Sequence, residues 1–122
     1  MRLIHEELSR EIIGAAMKVL NELKPGLDEK LYENALVIEL RDCGHNVDQQ
    51  KIFKVQFKGH QIGTLIPDMI VDDLVIADPK VATSFNDNHV AQMTGYLAHT
   101  QLSLALLLNF KYAKLKWKRV VR

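Results

Sequence analysis

The sequence has a single cysteine, Cys43, in 122 residues. That excludes an intrachain disulfide and a thiolate metal centre built by this chain alone, and it fits a reducing cytoplasm best. Its five histidines (His5, His45, His60, His89 and His99) show no zinc-ligand spacing. No Gly-rich phosphate loop and no G-x-S-x-G elbow occurs. The longest apolar run, from Leu102 to Leu108, is interrupted by Ser103. It falls far short of the roughly 20 residues a membrane helix needs. The start, Met1-Arg2-Leu3-Ile4-His5-Glu6-Glu7, lacks the apolar segment of a signal peptide. Acids are missing from residues 88–122, which carry Lys111, Lys114, Lys116, Lys118, Arg119 and Arg122. Residues 1–87 hold all fifteen acids against ten Lys and Arg, a formal charge of −5, so the net +1 hides a polarity along the chain. The basic end suits a phosphate backbone, and equally an edge strand guarded by lysines.

What remains is an ordinary globular composition, 48% apolar and 25% charged, in a length that suits one domain spanning residues 1–122. Apolar residues at Ile12, Ala16, Val19, Leu20 and Leu23 have helical spacing over about 6–23. Lys24-Pro25-Gly26 ends that helix. A second, capped by Asp28, runs to about residue 43. Residues 51–58 alternate as a half-buried strand, followed by a turn at Lys58-Gly59-His60-Gln61. Residues 62–71 and 74–80 read as two strands apolar on both faces, hence central. A helix over about 89–99, a buried strand over 102–110 and a basic alternating strand over 115–121 complete an α-α-β-β-β-α-β-β order. The fold class is therefore α/β or α+β, a mixed central sheet flanked by helices.

The chemistry concentrates in the most apolar stretch of the middle of the chain, where Asp68, Asp78 and Lys80 interrupt a core-like sequence. Buried charges cost several kcal/mol unless they pair or hold a metal. A two-residue turn at Asp72-Asp73 would put Asp78 opposite the face of Asp68. A three-residue loop over residues 72–74 would set Asp68 beside Asp78, with Lys80 on the same face. The second register is expected. Two adjacent carboxylates then share a proton or a hard divalent ion such as Mg²⁺. The competing reading is a hairpin with a local Asp78–Lys80 salt bridge.

Further motifs surround this pair. Gly26-Leu27-Asp28-Glu29-Lys30-Leu31-Tyr32 fits G-x-x-E-x-x-Y, Gln92 to Leu97 fits Q-x-x-x-Y-L, and Leu107-Leu108-Asn109-Phe110 and Lys118-Arg119-Val120-Val121 form two final strands. Together, from about Ile4 to Val121, the chain resembles the GxxExxY family, a compact branch of the PD-(D/E)XK nuclease superfamily. The resemblance implies a restriction-endonuclease-like core and a metal-dependent nuclease using Mg²⁺ or Mn²⁺ on nucleic acid, with DNA expected. It implies metal ligation by Asp68, Asp78 and the Pro79 carbonyl. It gives Lys80, Glu29 and Gln92 catalytic roles and places Tyr96, on the same helix as Gln92, beside the site as a substrate contact. Lys116 and Lys118 are candidates for contacting the substrate backbone. Tyr32 reads as a core residue with a hydrogen-bonded hydroxyl. Three departures stand out: Asp78 where the family has Glu, Pro79 where it has an apolar residue, and Leu20 where it often has His. Pro79 predicts a bulge or an end of pairing at the site. These departures support an alternative, a catalytically degenerate domain serving as a binding or assembly module. A homodimer through a strand edge or helix face is compatible with this size, but no surface for it is identifiable.

Overall fold

The computed structural model describes residues 3–122. Two helices come first, α1 (Glu6–Leu23) and α2 (Glu29–Asp42). Five strands follow: β1 (Val47–Gln49), β2 (Phe53–Phe57), β3 (His60–Leu65), β4 (Met69–Val71) and β5 (Val75–Lys80). Helix α3 (Asp87–Thr100) then leads to β6 (Leu104–Asn109) and β7 (Lys116–Val121). Strands β1-β4-β5-β6-β7 form one sheet in that order. Only β5 and β6, joined by α3, run parallel. Among the described residues no helix is long and apolar enough to cross a membrane.

Alternation along the central strands builds a core on each face of the sheet. Val75 and Ala77 of β5 and Leu104, Leu106 and Leu108 of β6 pack with Ile12, Leu20, Leu36 and Leu40 of α1 and α2. On the other face, Ile70, Ile76, Ala105 and Leu107 pack against Met93 and Leu97 of α3. Leu20, where the family often has His, is simply part of the first core. Helix α3 begins with a capping box in which Asn86 Oδ1 accepts from the His89 N–H at 2.9 Å.

The expected mixed sheet and helix order hold, with two changes among the strands. The expected strand over residues 62–71 is broken at 66–68, where Pro67 cannot donate to a ladder. Its first part, β3, pairs only with β2 in a separate two-stranded hairpin and is mostly exposed rather than central. The hairpin turns on Lys58-Gly59 alone, both at positive φ (50° and 80°), between the paired Phe57 and His60. Strand β1 was not expected at all, since three residues carry too little periodicity to read.

Candidate active site

A three-residue turn decides the geometry of the acids. Val71 pairs with Val75 and Met69 with Ala77, leaving Asp72, Asp73 and Leu74 as the loop. Asp72 and Asp73 both take left-handed φ, 53° and 57°, which Asp tolerates better than most residues. The Asp72 carboxylate is held by the Asn46 N–H at 2.8 Å and by His45 Nδ1 at 2.7 Å. Those partners keep Asp72 below the usual carboxylate range, although burial opposes them as the largest single influence. Extending the register by one residue sets Asp68 opposite Asp78. Alternation puts Lys80 on the same face, the α3 side, as expected.

Asp78 is only 3% exposed. Lys80 Nζ forms an ion pair with its Oδ1 at 3.0 Å, and no other donor reaches this buried oxygen among the described residues. Burial pushes the Asp78 carboxyl up despite the lysine. Asp68 is half-buried and pushed up to about 7, first by burial, then by Asp78, and then by Glu33. Burial alone would lower the Lys80 ammonium, but Asp78, Glu29 and Asp68 together hold it above its ordinary value. The local salt bridge weighed from sequence is thus present, and it coexists with a second acid that it does not neutralise.

Pro79 makes no bulge: β5 pairs with β6 without interruption through Lys80 opposite Asn109. Pairing with β4, however, ends at Ala77. The Lys80 carbonyl accepts from the Phe110 N–H at 2.8 Å, so it faces β6. Backbone groups alternate along a strand, so the Pro79 nitrogen and carbonyl face the opposite side, beyond the end of the β4 ladder. The missing N–H therefore costs no hydrogen bond in the sheet, and the carbonyl opens toward the side of Asp68.

Helix α2 meets this end of the sheet through the G-x-x-E-x-x-Y segment. Glu29 Oε1 accepts from the Val81 N–H at 2.9 Å, fastening the helix N-terminus just past Lys80. Tyr32 stacks on Phe110 with ring centroids 4.8 Å apart. Its hydroxyl donates to the Lys24 carbonyl at 2.6 Å and accepts from the Leu27 N–H at 3.1 Å. Tyr32 is thus the core residue expected, and it shapes the loop that delivers Glu29.

The residue that sequence reasoning missed is Glu33. It is 4% exposed, and its Oε2 accepts from Lys30 Nζ (3.0 Å), Gln49 Nε2 (2.7 Å) and Gln50 Nε2 (2.9 Å). The available signal was its position: one turn after Glu29, among the inward-facing Tyr32, Leu36 and Val37 of α2. From the opposite face of the sheet, α3 contributes Gln92 and Tyr96. Gln92 Nε2 donates to Tyr96 Oη at 3.1 Å, and burial, with the charges of Asp78 and Asp68, pushes the Tyr96 phenol up.

Lys116 and Lys118 do not join this cluster. They are exposed on edge strand β7, in the cross-strand rows of Lys80 and Asp78, with Asn109 and Leu107 intervening. Two strand spacings put them about 10 Å away. Arg119 is engaged in the fold, its guanidinium donating to Ser9 Oγ and to the Ile4 carbonyl.

The donor set suits a hard divalent cation in part. The Asp68 and Asp78 carboxylates and the open Pro79 carbonyl all offer oxygens, the ligands Mg²⁺ and Mn²⁺ prefer. Among the described residues, no three His, Cys, Asp or Glu side chains converge as a ready-made ligand group. Two carboxylates plus a carbonyl fit an ion that keeps several waters, rather than a closed protein cage.

Comparison with known proteins supplies the lineage. The sequence profile of the PD-(D/E)XK nuclease superfamily matches residues 6–120. No curated protein matches the chain. Among solved structures, an alkaline exonuclease from Laribacter hongkongensis is similar in fold, with a TM-score of 0.51 at 13% identity, over 93% of this chain and 82% of that one.

Proposed function

The chain belongs to the PD-(D/E)XK nuclease superfamily, and on that premise we propose that it is a metal-dependent nuclease hydrolysing phosphodiester bonds, with DNA as substrate. The observation that carries this reading is the Asp68–Asp78–Lys80 cluster. Asp68 is pushed up to about 7 by burial and then by Asp78, itself buried with Lys80 Nζ 3.0 Å from its Oδ1. Asp68, Asp78 and the Pro79 carbonyl would hold Mg²⁺ or Mn²⁺. When bound, such an ion polarises the phosphate and offsets charge developing in the transition state.

The chain's own residues supply the rest. Lys80 Nζ, held against Asp78, presents donors to a phosphate oxygen or an attacking water. Asp68, whose carboxyl is pushed up to about 7 without an ion, would give up its proton on ligating one. Glu29 fixes the backbone after Lys80 and thereby the reach of the ammonium. The Gln92–Tyr96 pair borders the acids from α3 and can donate to a substrate oxygen. The cytoplasm, where exposed Cys43 would stay a free thiol, is the compartment this reading favours.

A second reading, a catalytically degenerate binding or assembly module, draws support from the absence of a three-acid ligand group among the described residues. Calorimetric titration with Mn²⁺ and a DNA cleavage assay separate the two. The nuclease reading expects Mn²⁺ binding that is lost in Asp68→Ala. It also expects cleavage that falls at least about a hundredfold in Lys80→Ala, with ion binding retained. An intact chain that neither binds Mn²⁺ nor cuts any DNA end or strand would leave the module reading standing.

A further inference from the structure

We propose that the β2–β3 hairpin is a substrate-gripping arm for a single nucleic-acid strand, with phosphates held by Lys51 and Lys58 and a base stacked on Phe57. The proposal rests on the nuclease reading and adds the element that brings substrate to the acids.

Placement is the first argument. Both ends of the hairpin are fastened at the site. Before β2, Gln50 takes a left-handed φ of 60°. Its N–H donates to the Asp68 carbonyl at 3.0 Å, and its side-chain amide donates to Glu33. After β3, the chain runs through Pro67 directly into Asp68. Partly buried Phe53 packs against the α3-side core, anchoring the base of the hairpin on the face where Asp68, Asp78 and Lys80 lie.

Composition is the second. Residues 49–67 contain no acid and three lysines, and among the described residues none of the three lysines is ion-paired. Elsewhere around the site, Asp68, Asp78, Glu29 and Glu33 outnumber Lys80 and Lys30, a surplus that repels phosphate. The hairpin supplies attraction of the opposite sign directly beside it.

Exposure is the third. Phe53, Val55 and Phe57 share one face of β2, but only Phe53 and Val55 are partly covered. Phe57, at the tip, is 61% exposed and has Lys58 Nζ 5.5 Å from its ring centroid. Lys51 stands likewise over Phe53, also at 5.5 Å. An aromatic face flanked by free cations matches how single strands are bound without sequence preference: stacking for bases, ammonium groups for phosphates. A purely apolar docking face would not need the lysines, and a purely electrostatic one would not expose the ring.

The test is fluorescence anisotropy with labelled oligothymidine in EDTA, where nothing is cut. Phe57→Ala should weaken binding about tenfold, and Phe57→Trp should restore it. The double variant Lys51→Gln, Lys58→Asn should lower the log–log salt slope by about 1.4; Asn suits the positive φ at position 58, so the turn survives. No binding by the intact chain, or unchanged affinity and slope in these variants, overturns the arm. So does sedimentation showing that Phe57→Ala turns a dimer into a monomer without altering binding, since the hairpin would then be a self-association surface. Failure of the nuclease reading shows separately, as binding in EDTA with no Mn²⁺-dependent cleavage.

Discussion

Replacing Asp68 with Asn should stabilise the protein at neutral and alkaline pH. In the folded state the Asp68 carboxyl is pushed from 3.8 to about 7 by burial and by Asp78. The folded chain therefore binds a proton between these values that the unfolded chain has released. Stability then falls as pH rises through that window and levels off above about pH 7, opposite to the usual trend for a paired carboxylate. At about 1.4 kcal/mol per pH unit, the full rise corresponds to about 4 kcal/mol. Asp68 is only partly buried, and solvent screening reduces this to about 2 kcal/mol. A chain of 122 residues has an unfolding entropy near 0.26 kcal/mol/K, so Asp68→Asn should raise Tm by about 8 °C at pH 8. At pH 4 Asp68 is protonated when folded and about two-fifths protonated when unfolded, so the two proteins should melt within about 1–2 °C of each other. Thermal denaturation followed by circular dichroism from pH 4 to 8 in EDTA reads both ends. Equal Tm values at pH 8, or a gap of the same size at pH 4, would refute the raising of the Asp68 carboxyl by burial and by Asp78.

Two further outcomes follow from the same geometry. Tyr32→Phe keeps the stack on Phe110 but removes the hydroxyl that serves Lys24 and Leu27. It should cost about 1–2 kcal/mol, seen as a Tm lower by about 4–8 °C. Pro79→Ala adds an N–H on the side where β5 has no ladder partner. It should change stability by less than about 1 kcal/mol and leave calorimetric Mn²⁺ affinity intact, because the carbonyl remains. A Tm drop beyond that would mean the proline ring itself shapes the site.

How far the sequence could be read depended on whether a local rule decided the outcome. The register of Asp68 and Asp78 hung on loop length, which Asp72-Asp73 alone does not decide, because two left-handed aspartates suit a two-residue turn as well. A three-residue loop there fixes which side chains share a face. The G-x-x-E-x-x-Y segment was legible as a turn followed by a helix. That Glu29 spans to the Val81 N–H was not, since this contact joins residues 52 apart. The run from Ile62 to Val71 misled because apolar composition signals burial only on average. Ile62 and Ile66 are exposed, at 66% and 38%, and Pro67 divides an outlying hairpin from a central strand. Glu33 was hidden by a different effect. Its importance comes from Gln49 and Gln50, which reach it only because β1 docks beside β4.

The placement of charge also explains how an almost neutral chain could act on a polyanion. Net charge of +1 offers no long-range attraction, and the acids at the site oppose a phosphate backbone until a cation joins them. Attraction therefore has to be local and sited off the acids. The fold offers two such places, the exposed Lys116 and Lys118 on β7 and the acid-free hairpin. Only the hairpin is continuous with the site, since Gln50 at its root bonds both the Asp68 backbone and the Glu33 side chain. A strand held there would arrive beside Asp68, where a divalent ion held by Asp68 and Asp78 would offset the repulsion between phosphate and carboxylate. Ion and substrate should thus favour each other's binding, so that Mn²⁺ affinity rises when an uncleavable strand is present. Because linkage is reciprocal, strand affinity should rise with Mn²⁺ by the same factor. In Phe57→Ala the strand binds more weakly, so more of it should be needed to raise Mn²⁺ affinity. The ion alone should bind that variant as it binds the intact chain, because Phe57 lies at the far end of the hairpin from Asp68.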